Sequence, residues 1–141
     1  SACDFVVAAK DTVIGFPETR RGLVAGLVLT FLRRQLKDRD LRELLLGGQL
    51  VTAKRARDMG LVNRVAAPAN GMTEARQIAK TLVQGGPQAL THTKRILDEF
   101  WPSSVKKDLD RALRHHLKAR KSKEAEEGIA AFLEKRPPRW I

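Results

Sequence analysis

The sequence predicts an α/β fold that gives way to helices after residue 70. Three observations carry this. Two short runs rich in β-branched and aromatic residues, "FVV" and "TVIGF", open the chain. Glycine and proline then punctuate apolar stretches in a strand, helix, strand rhythm as far as Val65. Beyond that point apolar residues recur every three to four positions in four successive segments, the period of a helix face.

The first strands are expected over residues 4–9 and 12–16, joined by the turn-like Lys10-Asp11 and closed by Pro17, which has no N–H for a ladder. Phe5, Val6 and Val7, without polar alternation, read as a strand buried on both faces and in need of neighbours on each side. Glu18 follows just beyond the second strand, where a charged residue is ordinarily a solvated loop residue. Over residues 25–36, Leu27, Val28, Phe31 and Leu32 keep helical spacing, while Arg33, Arg34 and Lys37 gather at the negative end of the helix dipole. "DRDLRELLLGG" places Leu41, Leu44 and Leu45 on one side of a second helix that Gly47 and Gly48 stop. Thr52 is the expected N-cap of a third, Gly60 its C-cap, and residues 61–65 a further strand.

After "APANGM" the pattern is helical throughout. Ala75, Ile78, Ala79, Leu82 and Val83 form a stripe behind the expected cap Thr73. Leu90, Thr93, Leu97, Phe100 and Trp101 form another after "GGP", with proline at a helix start. A helix opening at Ser103 or Ser104 carries Val105, Leu109, Ala112, Leu113, His116 and Leu117. The last carries Ile129, Phe132 and Leu133 before "RPPRW" ends it. Residues 1–70 thus read as part of an α/β core and residues 71–141 as a helical region. So many apolar stripes exceed what these helices can bury in one another, and a subunit partner is expected.

Composition narrows the class. Lys and Arg number 27 against 16 Asp and Glu, a net charge of +11 that favours an anionic partner. With no tyrosine and 5% aromatic residues, a stacking platform for nucleic acid is disfavoured. The longest apolar run, residues 22–32, falls short of the ~20 residues that cross a bilayer. A single cysteine, Cys3, forms no internal disulfide, agrees with a cytoplasmic location, and is expected as a small buried residue. His116 lies on an apolar stripe as a packed histidine, His92 and His115 face outward, and no metal-ligand constellation is expected.

Taken together and in order, "ACDFVVAAKDTVIGFPETRRGLVAG", "LLLGGQLVTAKRARDMGLVNRV" and "EGIAAFLEKRPP" resemble the C-terminal half of the enoyl-CoA hydratase/isomerase (crotonase) family. The resemblance covers nearly the whole chain. It implies the C-terminal part of a spiral of strand-strand-helix turns, followed by a mainly helical oligomerisation region that builds trimers or dimers of trimers. It also implies an acyl-CoA thioester as ligand, with coenzyme A as part of the substrate and no separate cofactor. Family members hold the thioester oxygen with two backbone N–H groups and move protons with one or two carboxylates.

Carried over by residue, Glu18 resembles the second of two catalytic glutamates, and Gly26 the glycine whose amide helps hold the catalytic water. Phe132 and Lys135 resemble residues that a neighbouring subunit lends to the adenine and phosphates of CoA. The family's first glutamate and its oxyanion glycine lie upstream of "ACD", so the chain reads as the second half of something larger. Ala25 stands where many relatives have proline, and Leu27 and Val28 where they have small residues, which alters the expected acyl pocket. The expected activity is hydration of a 2-enoyl-CoA. The alternatives are an isomerase with Glu18 as main proton carrier, or a non-catalytic oligomerisation or binding fragment.

Overall fold

The computed structural model describes residues 2–100 and 104–140. The fold is mixed α/β. Strand β1 (Val7–Ala9) pairs in parallel with β4 (Arg64–Ala66), Ala8 opposite Val65. Strand β2 (Val13–Ile14) pairs antiparallel with β3 (Val51–Thr52), Ile14 opposite Val51. Between β2 and β3 run a short 3-10 helix (Pro17–Arg21), α1 (Gly26–Leu32) and α2 (Asp38–Gly47), and α3 (Ala53–Met59) links β3 to β4. A parallel pair needs a long crossover, and these helices supply it. Their apolar sides close over the strands: Leu32, Leu36, Leu44, Ala53, Ala56, Met59, Leu61 and Val62 bury together with Ala8. The helical part follows as a 3-10 turn (Pro68–Asn70), α4 (Gly71–Leu82), α5 (Pro87–Glu99), α6 (Val105–Arg120) and α7 (Lys123–Leu133).

The expected caps hold at three helices. Thr52 Oγ1 accepts from the Arg55 N–H at 3.2 Å, and Gly60 closes α3 in the left-handed region with φ 97°. Gly48 does the same for α2 with φ 56°. Ser104 caps α6 by accepting from the Lys107 N–H at 3.3 Å; Ser103 and Trp101 lie outside the described residues.

Several expectations are corrected. Both early strands are shorter than expected, Val7–Ala9 and Val13–Ile14. Phe5 remains 47% exposed and Cys3 is exposed, because β1 has a neighbour on one edge alone among the described residues. Helix α1 ends at Leu32, since the N–H groups of Arg34 and Gln35 bond three residues back, to Phe31 and Leu32, and tighten the chain into turns. Leu61 and Val62 are core residues but not strand residues: both N–H groups go to the Ala56 carbonyl and finish α3. Asn63 then makes the switch to the sheet, its Oδ1 accepting from the Val6 N–H at 2.7 Å. Thr73 does not cap α4, because the turn Pro68–Asn70 runs straight into helical geometry at Gly71.

The last two helices fold back on the α/β part. Helix α6 lies against α1, and α7 lies against the Pro17–Arg21 turn. Helix α5 stands out from this body: it buries no residue and leaves Leu97 and Phe100 exposed, and Lys94 Nζ reaches Asp4 at 2.5 Å. No helix among the described residues is long and apolar enough to cross a membrane.

The end of α7 is pinned by Glu127. Its carboxylate accepts from Arg136 Nη1 at 2.6 Å, from Nη2 at 3.0 Å, and from the Arg139 N–H at 2.7 Å. The Arg136 fork, helped by that amide, holds the Glu127 pKa down at about 2, against an ordinary 4.5. A carboxyl depressed on folding contributes in full above its unfolded pKa, and the contribution is lost as pH falls through the folded one. Between pH 4.5 and 2 the C-terminal segment should therefore loosen. Glu127→Gln should flatten the acid limb of a pH-stability profile in that window, and an unchanged limb would show that the clamp contributes nothing.

Candidate functional site

The turn at Pro17–Arg21 positions Glu18. Pro17 supplies a fixed φ for its first residue, and Gly22 ends it at φ 66°, a conformation that favours glycine. The Glu18 carbonyl accepts from the Leu23 N–H at 2.9 Å, so the backbone under this side chain is closed on itself. Arg20 ties the turn to the end of α2, with Nε at 3.2 Å and Nη2 at 3.1 Å from the Gly47 carbonyl, where a cation also meets the negative end of the helix. Held this way, Glu18 points one oxygen inward. Its Oε2 is buried and has no hydrogen-bond partner among the described residues. Native folds leave few such atoms, because a buried oxygen without a donor costs about 1–3 kcal/mol.

Gly26 begins α1 and is buried. A Cβ at this position would lie 2.9 Å from the Ala112 carbonyl oxygen, so its lack of a side chain lets α1 and α6 approach closely. Its N–H belongs to the first turn, where the helix offers no carbonyl partner. Beside it opens a cleft of about 430 Å³, lined by Thr19, Val24, Ala25, Gly26, Leu29 and Leu45 on one side. Thr19 follows Glu18 directly in the chain. Gly26 and Thr19 thus line the cleft, while Glu18, one residue before Thr19, does not.

Phe132 and Lys135 lie on the other side of the same turn. The Arg21 guanidinium stacks on the Phe132 ring, 4.3 Å from its centroid, while the ring stays 59% exposed. Lys135 follows α7 in the left-handed region, with φ 55°. Its N–H bonds the Phe132 carbonyl at 3.3 Å, and the Arg136 N–H bonds that of Ala131 at 3.0 Å. This double bond pattern is one that glycine normally serves, so lysine here carries strain of about 1 kcal/mol.

Four cleft residues with titratable side chains were not among the expected site residues: Arg33, Asp108, Arg111 and His115. Their signal was spacing. Asp108, Arg111, Ala112 and His115 fall at i, i+3, i+4 and i+7, one helix face, beside the apolar stripe that dominates α6. Asp108 is nine-tenths buried and lies 3.5 Å from Arg34 Nη2 and 3.9 Å from Arg33 Nη1. His116, on the stripe, is half-buried with Nδ1 at 3.4 Å from the Val24 carbonyl. No group of three or more potential metal ligands occurs among the described residues.

The family model described as enoyl-CoA hydratase/isomerase matches residues 1–141. The chain belongs to the enoyl-CoA hydratase/isomerase family. A Thermus thermophilus relative named for enoyl-CoA hydratase is 36% identical over 99% of the chain, which covers 55% of that relative. The carnitinyl-CoA dehydratase of Salmonella arizonae is 34% identical, again over 99% of the chain and 55% of the relative. Among solved structures, a carnitinyl-CoA hydratase from Mycobacterium avium superposes with a TM-score of 0.88 at 30% identity, covering 99% of this chain and 55% of that one. The chain therefore spans about half the length of the relatives it matches.

Proposed function

We propose that a full-length enzyme containing these 141 residues hydrates a 2-enoyl-CoA thioester, with Glu18 as one of its proton carriers. The observation that carries this is the buried, unpartnered Oε2 of Glu18. Hydration needs a base to take a proton from water as it attacks the β-carbon, and an acid to return one to the α-carbon. The Glu18 carboxylate is anchored by a closed turn next to Thr19, a cleft residue, and its Oε2 is committed to no donor among the described residues, which supports a role in that exchange. The Gly26 amide, unpartnered within its helix, would hold the water.

Incubating the full-length protein with crotonyl-CoA in ¹⁸O-water tests the reading. Label at the β-carbon of the product supports it. With 3-hexenoyl-CoA offered in parallel, migration of its double bond without incorporation of label would assign an isomerase, and turnover of neither thioester would leave an oligomerisation or binding module.

We infer further that the enzyme assembles as trimers or dimers of trimers, with Phe132 and Lys135 reaching the CoA site of a neighbour. The exposure of Phe132, Leu133, Leu97 and Phe100 supports a partner surface. A cytoplasmic location fits the exposed, unpaired thiol of Cys3. Lys135→Gly separates the two roles of that residue. It should raise stability by about 0.5–1 kcal/mol by relieving the left-handed backbone, yet weaken binding of CoA more than of a phosphate-free pantetheine analogue. Equal affinity changes for both ligands, or a monomer by sedimentation, would remove Lys135 from a nucleotide site on a neighbour.

A further inference from the structure

We propose that the cleft between α1 and α6 selects the distal end of the acyl group by charge, taking an end that bears a carboxylate over a neutral or cationic one. This rests on the hydratase reading and narrows its substrate class. The cleft has two characters. Ala25, Leu29 and Leu45 give it apolar walls that suit a short carbon chain, while Asp108, Arg111 and His115 line it from α6 and Arg33 from the end of α1.

Asp108 does not set the sign of that end. It is nine-tenths buried, and the guanidinium groups of Arg34 and Arg33, at 3.5 and 3.9 Å, counter its charge from within the protein. Arg111 and His115, one turn apart on α6, make no hydrogen bond or ion pair among the described residues. Two guanidinium groups against one carboxylate leave the lining positive, and Arg34 behind Asp108 adds to the excess. An acyl carboxylate could accept from the planar fork of Arg111 and from an imidazole N–H of His115. A quaternary ammonium would need an aromatic face or an uncommitted carboxylate. No Phe or Trp lines the cleft among the described residues, and its one carboxylate is engaged. A plain alkyl end would use the apolar walls and gain nothing from Arg111.

The test compares three thioesters on the full-length enzyme: glutaconyl-CoA, crotonyl-CoA and 4-trimethylammonio-but-2-enoyl-CoA. Glutaconyl-CoA should show the highest kcat/KM, by ~10-fold or more over each of the others, as expected for one charge-assisted contact. Arg111→Met should cut that preference ratio by a similar factor. Raising ionic strength should narrow it in the unaltered enzyme, a readout that needs no variant. The corresponding pantetheine thioesters separate two sources of negative charge. A preference that survives removal of the nucleotide belongs to the acyl end, and an Arg111 effect that vanishes with the nucleotide would assign the residue to CoA phosphate and overturn the proposal. A preference for the trimethylammonium thioester, or none among the three, would also overturn it. Calorimetric binding of the same thioesters decides the matter even if none is hydrated: charge-selective binding sustains the cleft assignment while the hydratase reading falls, and equal binding ends both.

Discussion

On the proposed hydratase reading, Glu18→Gln in the full-length protein is expected to lower turnover of a 2-enoyl-CoA by at least ~10²-fold, the lower end of what a positioned acid or base contributes. The amide matches the carboxyl in shape but neither takes nor returns a proton. Thioester affinity should change little, because the contribution removed belongs to the transition state, and kcat and kcat/KM should fall together. Stability supplies the control. Oε2 of Glu18 is buried without a donor among the described residues, so a neutral group in its place costs less to bury than a carboxylate. The variant should therefore be as stable as the parent or slightly more so. A variant with parental turnover would return Glu18 to the role of an ordinary loop residue. One that is inactive because it unfolds would show instead that the carboxylate holds the turn together.

How much of this was legible from the residues depends on what each feature needs. Helices carried by local chemistry were legible: Thr52 and Ser104 cap where a hydroxyl meets a free N–H, and Gly48 and Gly60 end helices where only a glycine is comfortable. Features that depend on partners far away in sequence were not. The unbroken β-branched run after Phe5 says that the segment is strand-like, but burial depends on what lies beside it, and β4 covers one edge alone among the described residues. Thr73 fits a cap locally, and the preceding proline turn overrode it by delivering helical backbone three residues early. At the site, Glu18 and Gly26 came from a resemblance. That Oε2 would be buried and unpartnered could be learned only from the fold, because the turn is fixed by Arg20 reaching the far end of α2. The charged side of the cleft was hidden for a different reason. Asp108, Arg111 and His115 lie on a helix whose apolar stripe is the stronger periodic signal, and charged residues on a helix are ordinarily solvated.

The contact between α7 and the Glu18 turn makes the second large effect a test of architecture. A Cβ on Gly128 would lie 2.4 Å from the Arg21 carbonyl carbon, and one on Gly22 would lie 2.3 Å from that of Glu124. In both cases the obstacle is backbone, so no side-chain rotation relieves it, and the helix must shift by about 1 Å to reach ordinary contact distance. Such overpacking costs about 1–3 kcal/mol, and two rigid segments pressed together fall at the upper end. Gly128→Ala is therefore expected to lower the unfolding free energy of the full-length enzyme by about 3 kcal/mol, measured by denaturant titration. It should also loosen Arg21 from the Phe132 ring and, through the turn, reduce turnover. Gly47→Ala is the matched control: a Cβ there meets nothing within 4 Å on a helical residue, so it should be neutral or stabilising by about 0.5–1 kcal/mol. If Gly128→Ala proved as harmless as Gly47→Ala, α7 would not pack on its own turn in the full-length protein. Phe132 and Lys135 would then be free to serve the proposed subunit contact without the Arg21 stack.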